Sequence, residues 1–175
     1  MAGPTDDSAA ARFGRMALPH LDAATRLARW MVRDPARAED VVQEAMLRAL
    51  TYFSGFRGDN PRAWLLQIVR TTALTRLGQD AGRREDVLED RAFEALPSAE
   101  HNPEARLAGE QEHGLLHRAI AALPGELREI LVLREFEDMS YREIAMVTGV
   151  PVGTVMSRLF RARRALMQAF GEQPA

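Results

Sequence analysis

Thr154, Ser157, Arg158, Arg161 and Arg164 fall on one side of a C-terminal helical pattern, while Val155, Leu159, Ala162 and Leu166 repeat on the other. Short hydroxyls near a helix start and forked guanidiniums further along can reach base edges and phosphates in a DNA major groove. The residues just upstream say how such a helix would be held. Ser140 followed by Glu143 is a capping box, in which each side chain satisfies an end N–H of a starting helix. Ala145 is small where a second helix must cross closely. Gly149, four residues on, supplies the positive φ of a tight turn. Together these form a helix-turn-helix pattern. The bland alternative is a helical hairpin with an arginine-rich solvent face, and the combination of cap, turn and charge argues against it.

Two further clusters carry possible chemistry. Ser54–Asn60 is a loop, because two glycines and an Asn-Pro step oppose helix. It holds Phe56 and Arg57, with Asp59 and Asn60 at its end and Trp64 just beyond. Trp64 suits stacking on a base, although a core tryptophan is the more ordinary reading. Phe56, flanked by glycines, has less reason to be core. Glu110, His113 and His117 share a helical face at metal-ligand spacing, but no second Glu-x-x-His accompanies them. No nucleophile is paired with a base, and no glycine loop could cradle phosphates. We therefore expect no enzyme activity, no metal and no cofactor.

These residues need elements to position them. Apolar spacing reads as helical almost throughout, with no sustained strand alternation. Pro19 can open a first helix that turns Leu21, Ala24, Ala28 and Met31 to one face. After Asp34-Pro35, a second runs from about Glu39 to Phe53, burying Val42, Met46, Ala49 and Phe53. On its opposite side Asp40, Gln43, Glu44, Leu47 and Thr51 lie together, and a leucine amid polar residues hints at a protein partner. Asn60 can cap and Pro61 start a third helix to about Gly78. Periodicity fails from Gln79 to Ala108, which carries Pro97 and Pro103, and returns at Leu115, Leu116, Ala119, Ile120 and Leu123. Pro124-Gly125 then turns the chain into a helix beginning at Leu127, Ile130 and Leu131. The expected fold is all-α: two small helical domains joined by a flexible acidic linker.

Charge follows the same division. All 23 basic residues are arginine. Gly55–Arg84 has 6 arginines against 2 acids, Glu85–Glu112 has 2 against 9, and Val152 to the end has 4 against 1. Two basic segments thus flank an acidic one, an arrangement able to neutralise phosphates at two places. A length of 175 residues allows one ordinary domain or two small ones. No apolar stretch is long enough for a membrane span, and Met1 to Ala11 lacks the layout of a secretory signal. Cysteine is absent, which excludes disulfides and fits a cytoplasmic protein.

Two sets of motifs carry a family resemblance. Asp40-Val-Val-Gln-Glu-Ala-Met-Leu-Arg-Ala49, Phe56-Arg-Gly-Asp59, Ala63-Trp-Leu-Leu66 and Ile68-Val-Arg70 resemble the first domain of extracytoplasmic-function (group IV) sigma factors of the sigma-70 family. Leu123-Pro124, Arg128-Glu-Ile-Leu-Val-Leu-Arg134, Ser140-Tyr-Arg-Glu-Ile-Ala145, Pro151-Val-Gly-Thr-Val155, Ser157-Arg-Leu159 and Arg161-Ala-Arg163 resemble the second. The match covers about Leu21–Leu77 and Leu115–Leu166, in family order.

The resemblance implies a transcription initiation factor, as in stress or envelope responses, that binds core RNA polymerase, promoter DNA and an anti-sigma factor. It implies an N-terminal extension over 1–18, a region 2-like domain over 19–79, a linker over 80–109, a region 4-like domain over 110–171 and a short tail. Asp40, Gln43, Glu44 and Leu47 would dock on the clamp coiled coil of the largest polymerase subunit. The Ser54–Asn60 loop (Phe56, Arg57, Asp59, Asn60), with Trp64, would hold a base flipped from the −10 strand. Extrusion costs a few kcal/mol and so calls for a pocket. Gln67, Arg70 and Thr71 would track the opened strand. Thr154, Ser157, Arg158, Arg161 and Arg164 would read the −35 element, and the same domain would contact the polymerase flap. The acidic linker would thread toward the polymerase cleft. Many members carry Asn at Thr71 and Lys at Met156, which changes the expected −10 contact and removes a −35 phosphate contact. The alternative open to the residues themselves is a helix-turn-helix regulator with an N-terminal partner- or ligand-binding domain.

Overall fold

The computed structural model describes residues 8–81 and 103–171, with side chains from 113 onward in the second stretch; the described residues are helical with no strand. Helix α1 (Ala9–Ala17) starts at Ser8, whose hydroxyl accepts from the Ala11 N–H. The chain therefore becomes helical well before Pro19, which sits in a short 3-10 turn, Leu18–His20, ahead of α2 (Leu21–Val32). Phe13 and Ala17 of α1 are buried with Ala49 and Leu65. The apolar face of α1 is only nine residues long, too short for periodicity alone to reveal.

Asp34 caps α3 (Pro35–Tyr52) by accepting from the Arg37 N–H, with Pro35 in the first turn where its missing N–H costs nothing. This helix begins about a turn earlier than the apolar spacing suggests. Its buried line is Ala38, Val41, Val42, Ala45 and Ala49, while Met46 and Phe53 are half-buried. Helix α4 (Pro61–Ala81) is capped by Asn60, whose Oδ1 accepts from the Ala63 N–H at 2.9 Å. Helices α2, α3 and α4 pack on one another, with α1 against α4. The larger part of the expected linker lies outside the described residues. Its margins are helical: Gln79–Ala81 ends α4, and Pro103 opens α5 (Pro103–Ala122).

Helices α6 (Gly125–Glu135), α7 (Tyr141–Thr148) and α8 (Val152–Gly171) form the second domain. Seven consecutive residues of α6, Leu127 to Leu133, are buried, as in a helix surrounded on every side. Its two buried charges have partners. Arg128 donates to the Ala121 and Leu123 carbonyls at the end of α5, and burial lowers its pKa to about 10, with Arg33 adding to the effect and Glu129 opposing it. The cap expected at Ser140 is complete, with reciprocal Ser140 and Glu143 bonds. Gly149 takes φ 70° and its N–H donates to the Ala145 carbonyl.

The two domains are not spaced apart. Helix α6 lies against α2 and α7 against α4, and the buried residues of both domains form one continuous apolar cluster. This explains why α6 has no polar face: one side meets α8 and another the first domain.

Candidate nucleic-acid interface

On α8, Val155, Leu159 and Ala162 are buried and Leu166 half-buried, so the opposite side is turned outward. Arg161 and Arg164 are exposed there. Thr154 is half-buried, and Ser157 is exposed with its hydroxyl donating to the Thr154 carbonyl at 3.1 Å. Arg158 differs. Its side chain is largely covered and pairs with Glu126 at 2.6 Å, so it faces α6. Arg163 pairs with Glu135, which holds its guanidinium above the usual arginine range. Arg161 and Arg164 are thus the arginines of this face best placed for a nucleic acid.

In the first domain Asp40, Gln43 and Leu47 are exposed, Leu47 at 67%. Glu44 is half-covered and held by Arg48 at 2.5 Å and Arg76 at 2.7 Å. The bond from Arg76, with Arg48 adding to it, keeps its carboxyl below the ordinary range against the opposing effect of burial. Helix α3 therefore offers a leucine framed by an already neutralised carboxylate.

The Ser54–Asn60 loop is anchored at both ends. The Phe56 N–H donates to the Phe53 carbonyl, and Asn60 caps α4. Phe56 and Trp64 are both half-buried, with ring centroids 4.6 Å apart and planes 32° apart. Neither aromatic stands alone: Trp64 packs on the Phe13–Leu65 cluster and Phe56 lies over it. A Cβ at Gly58 would come within 3.0 Å of the Phe56 ring, so the loop closes tightly round it. Arg57 is exposed and donates to the Ser54 and Phe56 carbonyls; Asp59 is exposed.

Along α4, Gln67 and Thr71 are exposed, and the Thr71 hydroxyl donates to the Gln67 carbonyl. Arg70 instead makes a two-pronged pair with Glu129 of α6, at 2.8 and 3.0 Å. Asn60 donates to Glu143 at 2.8 Å. Arg62, one turn before Gln67, donates to the Glu137 carboxylate at 3.0 Å, and Arg26 of α2 bonds the same carboxylate. Sequence analysis did not single out Glu129 or Glu137 and read Glu143 only as a cap, because local sequence reveals nothing of a partner some 60 to 110 residues away. A second missed feature is an apolar groove of about 640 Å³ on α8, lined by Tyr141, Met156, Phe160 and Met167. The spacing of Met156, Phe160 and Met167 held that signal. For the histidine cluster, no group of three metal-binding side chains occurs among the described residues, and the Glu110 side chain lies outside them.

The described chain is thus a pair of helical domains, one ending in a helix-turn-helix, which is the organisation of a sigma-70-type promoter-recognition factor. Models of known families agree: "Sigma-70 region 2" matches residues 16–83 and "Sigma-70, region 4" residues 113–166. RNA polymerase sigma-H factor of Pseudomonas aeruginosa is 40% identical over 146 residues, covering 79% of this chain and 75% of that protein. ECF RNA polymerase sigma-E factor of Escherichia coli K12 is 40% identical over 135 residues, covering 73% and 70%. Among solved structures, CnrH in complex with the cytosolic domain of CnrY superposes with TM-score 0.64 at 26% identity, over 93% of this chain and 89% of that one. The sigma factor RpoE, co-crystallised with the anti-sigma factor NepR from Bartonella quintana, shares the fold with TM-score 0.74 at 24% identity, over 93% and 99%. The chain belongs to the extracytoplasmic-function sigma factors of the sigma-70 family, which sets aside the reading as a regulator with a ligand-binding domain.

Proposed function

We propose that this sigma factor docks on core RNA polymerase through the Asp40, Gln43, Glu44 and Leu47 face of α3 and recruits it to promoters without itself catalysing a reaction. The Phe56–Asn60 loop and Trp64 receive a flipped −10 base, while Gln67, Arg70 and Thr71 follow the melted strand. Arg161 and Arg164, with Thr154 and Ser157, read the −35 duplex. An anti-sigma factor is the regulatory partner, by analogy with the NepR and CnrY complexes of the similar structures. The protein acts in the cytoplasm; no described helix is long and apolar enough to cross a membrane.

The observation that carries this reading is the exposed Arg161–Arg164 face of α8 behind a complete helix-turn-helix, in a chain whose other domain matches region 2. In vitro transcription with core polymerase on genomic DNA tests it: start sites should share upstream −10 and −35 motifs. Unchanged transcription on addition of the chain would refute it.

A further inference from the structure

The first half of α8 is less polar than its arginines suggest. In a helix-turn-helix the residues near the start of the second helix meet base edges, while the first helix crosses the backbone. From Val152 to Phe160 the single charged residue is Arg158, and its pair with Glu126 holds it toward α6. Val155 and Leu159 are buried and Thr154 is half-buried. The side chains left outward are Ser157 and three apolar ones, Val152, Met156 and Phe160, the last two 53% and 66% exposed. The Ser157 hydroxyl donates to the Thr154 carbonyl, so it offers a base only an acceptor. Met156 and Phe160 stand one turn apart and line the apolar groove together with Tyr141 of α7.

A major groove offers such a surface little choice. The four bases display donors and acceptors there, and one apolar group, the C5-methyl of thymine. Met156 brings an unbranched, polarisable thioether that adapts its shape to an apolar contact and has no hydrogen to donate. Against phosphate it would gain nothing, because the backbone is held by cations. We propose that Met156 is a specificity-determining residue of the −35 contact, packing on the C5-methyl of a thymine. This rests on the reading of α8 as the −35 helix. The lysine that many family members carry here would hold phosphate whatever the sequence. Methionine in the same place distinguishes thymine from cytosine, which lacks the methyl. Arg161 and Arg164, exposed further along α8, keep the charge that anchors the helix on the backbone.

Promoters found by in vitro transcription are remade with deoxyuridine in place of each −35 thymine in turn, on either strand. The exchange removes one methyl and leaves base pairing and every hydrogen-bonding group intact. Holoenzyme carrying the wild-type chain should bind one such promoter about fourfold more weakly, the worth of one buried methyl. Holoenzyme carrying Met156→Ala should bind its thymine and uracil forms alike. Each comparison is a ratio within one holoenzyme, so differences in folding or polymerase affinity cancel. Met156→Lys should also lose the discrimination, and its salt slope should steepen by about one; an unchanged slope would place position 156 away from the DNA and overturn the proposal. A −35 motif without thymine, or discrimination that persists in Met156→Ala, overturns it as well. So does a wild-type holoenzyme indifferent to uracil at every −35 thymine, which would leave the groove to a protein partner. Failure of the underlying reading looks different: holoenzyme that binds native and −35-scrambled promoters equally removes sequence reading by α8 altogether, and this contact with it.

Discussion

Leu47→Glu separates docking from folding most cleanly. Leu47 is 67% exposed on α3, opposite the Val41–Ala45–Ala49 line that packs into the first domain. Glutamate and leucine have similar helix propensities, and no core cavity opens. One local cost is a new like-charge neighbour three residues from Glu44, worth a few tenths of a kcal/mol, which the Arg48 and Arg76 pairs of Glu44 reduce. The change in folding stability should stay below about 0.5 kcal/mol. At a polymerase interface the same carboxylate would be desolvated without a partner, a loss of roughly 2–5 kcal/mol in binding. With each 1.4 kcal/mol worth tenfold, the dissociation constant should rise about 30-fold to 4,000-fold. Circular dichroism melting establishes that the variant is folded, and titration of labelled chain with core polymerase measures the affinity. A folded variant that binds core polymerase as wild type does refutes the docking assignment. Ala45→Glu is the instructive contrast: Ala45 is fully buried, so that change should unfold the domain and say nothing about docking.

Arg161→Ala should weaken −35 recognition by about 1–3 kcal/mol if the guanidinium forks onto a guanine. If it touches phosphate, the loss should be independent of sequence and the salt slope should fall by about one; footprinting of holoenzyme on native and −35-scrambled promoters distinguishes these, and no effect on either rules out a DNA-facing Arg161. Gly149→Ala should cost about 1 kcal/mol or slightly more from backbone strain alone, since φ is 70° and nothing lies within 4 Å of an added Cβ; a urea midpoint equal to wild type would contradict this. His117, through burial, and His20, through burial and then Arg62, have pKa values below the ordinary 6.5. Their neutral forms favour the folded state, so this stability is fully present above about pH 6.5 and is lost as pH falls through the lowered folded values. Denaturation across that range should show the decline, and His20→Gln/His117→Gln should flatten it; an equally steep decline in the double variant would place its origin elsewhere.

Local chemistry was legible without a structure. Ser140 and Glu143 specify a cap, Gly149 a left-handed turn and Asn60-Pro61 a helix start, because each depends on atoms within a few residues. The alternation of buried and exposed positions on α3 and α8 followed from helical period, which is why Leu47, Arg161 and Arg164 emerged as surface residues. Only the tertiary structure decided which surfaces meet. Arg70 and Arg158 carry the same charge as Arg161, yet Arg70 faces Glu129 across the domain interface and Arg158 faces Glu126 on α6. Phe56 and Trp64, read separately as pocket and core, lie against each other. Periodicity reports that a side is covered but not by what. The partner is set by long-range packing, and here that packing closes α6 and α7 over the first domain.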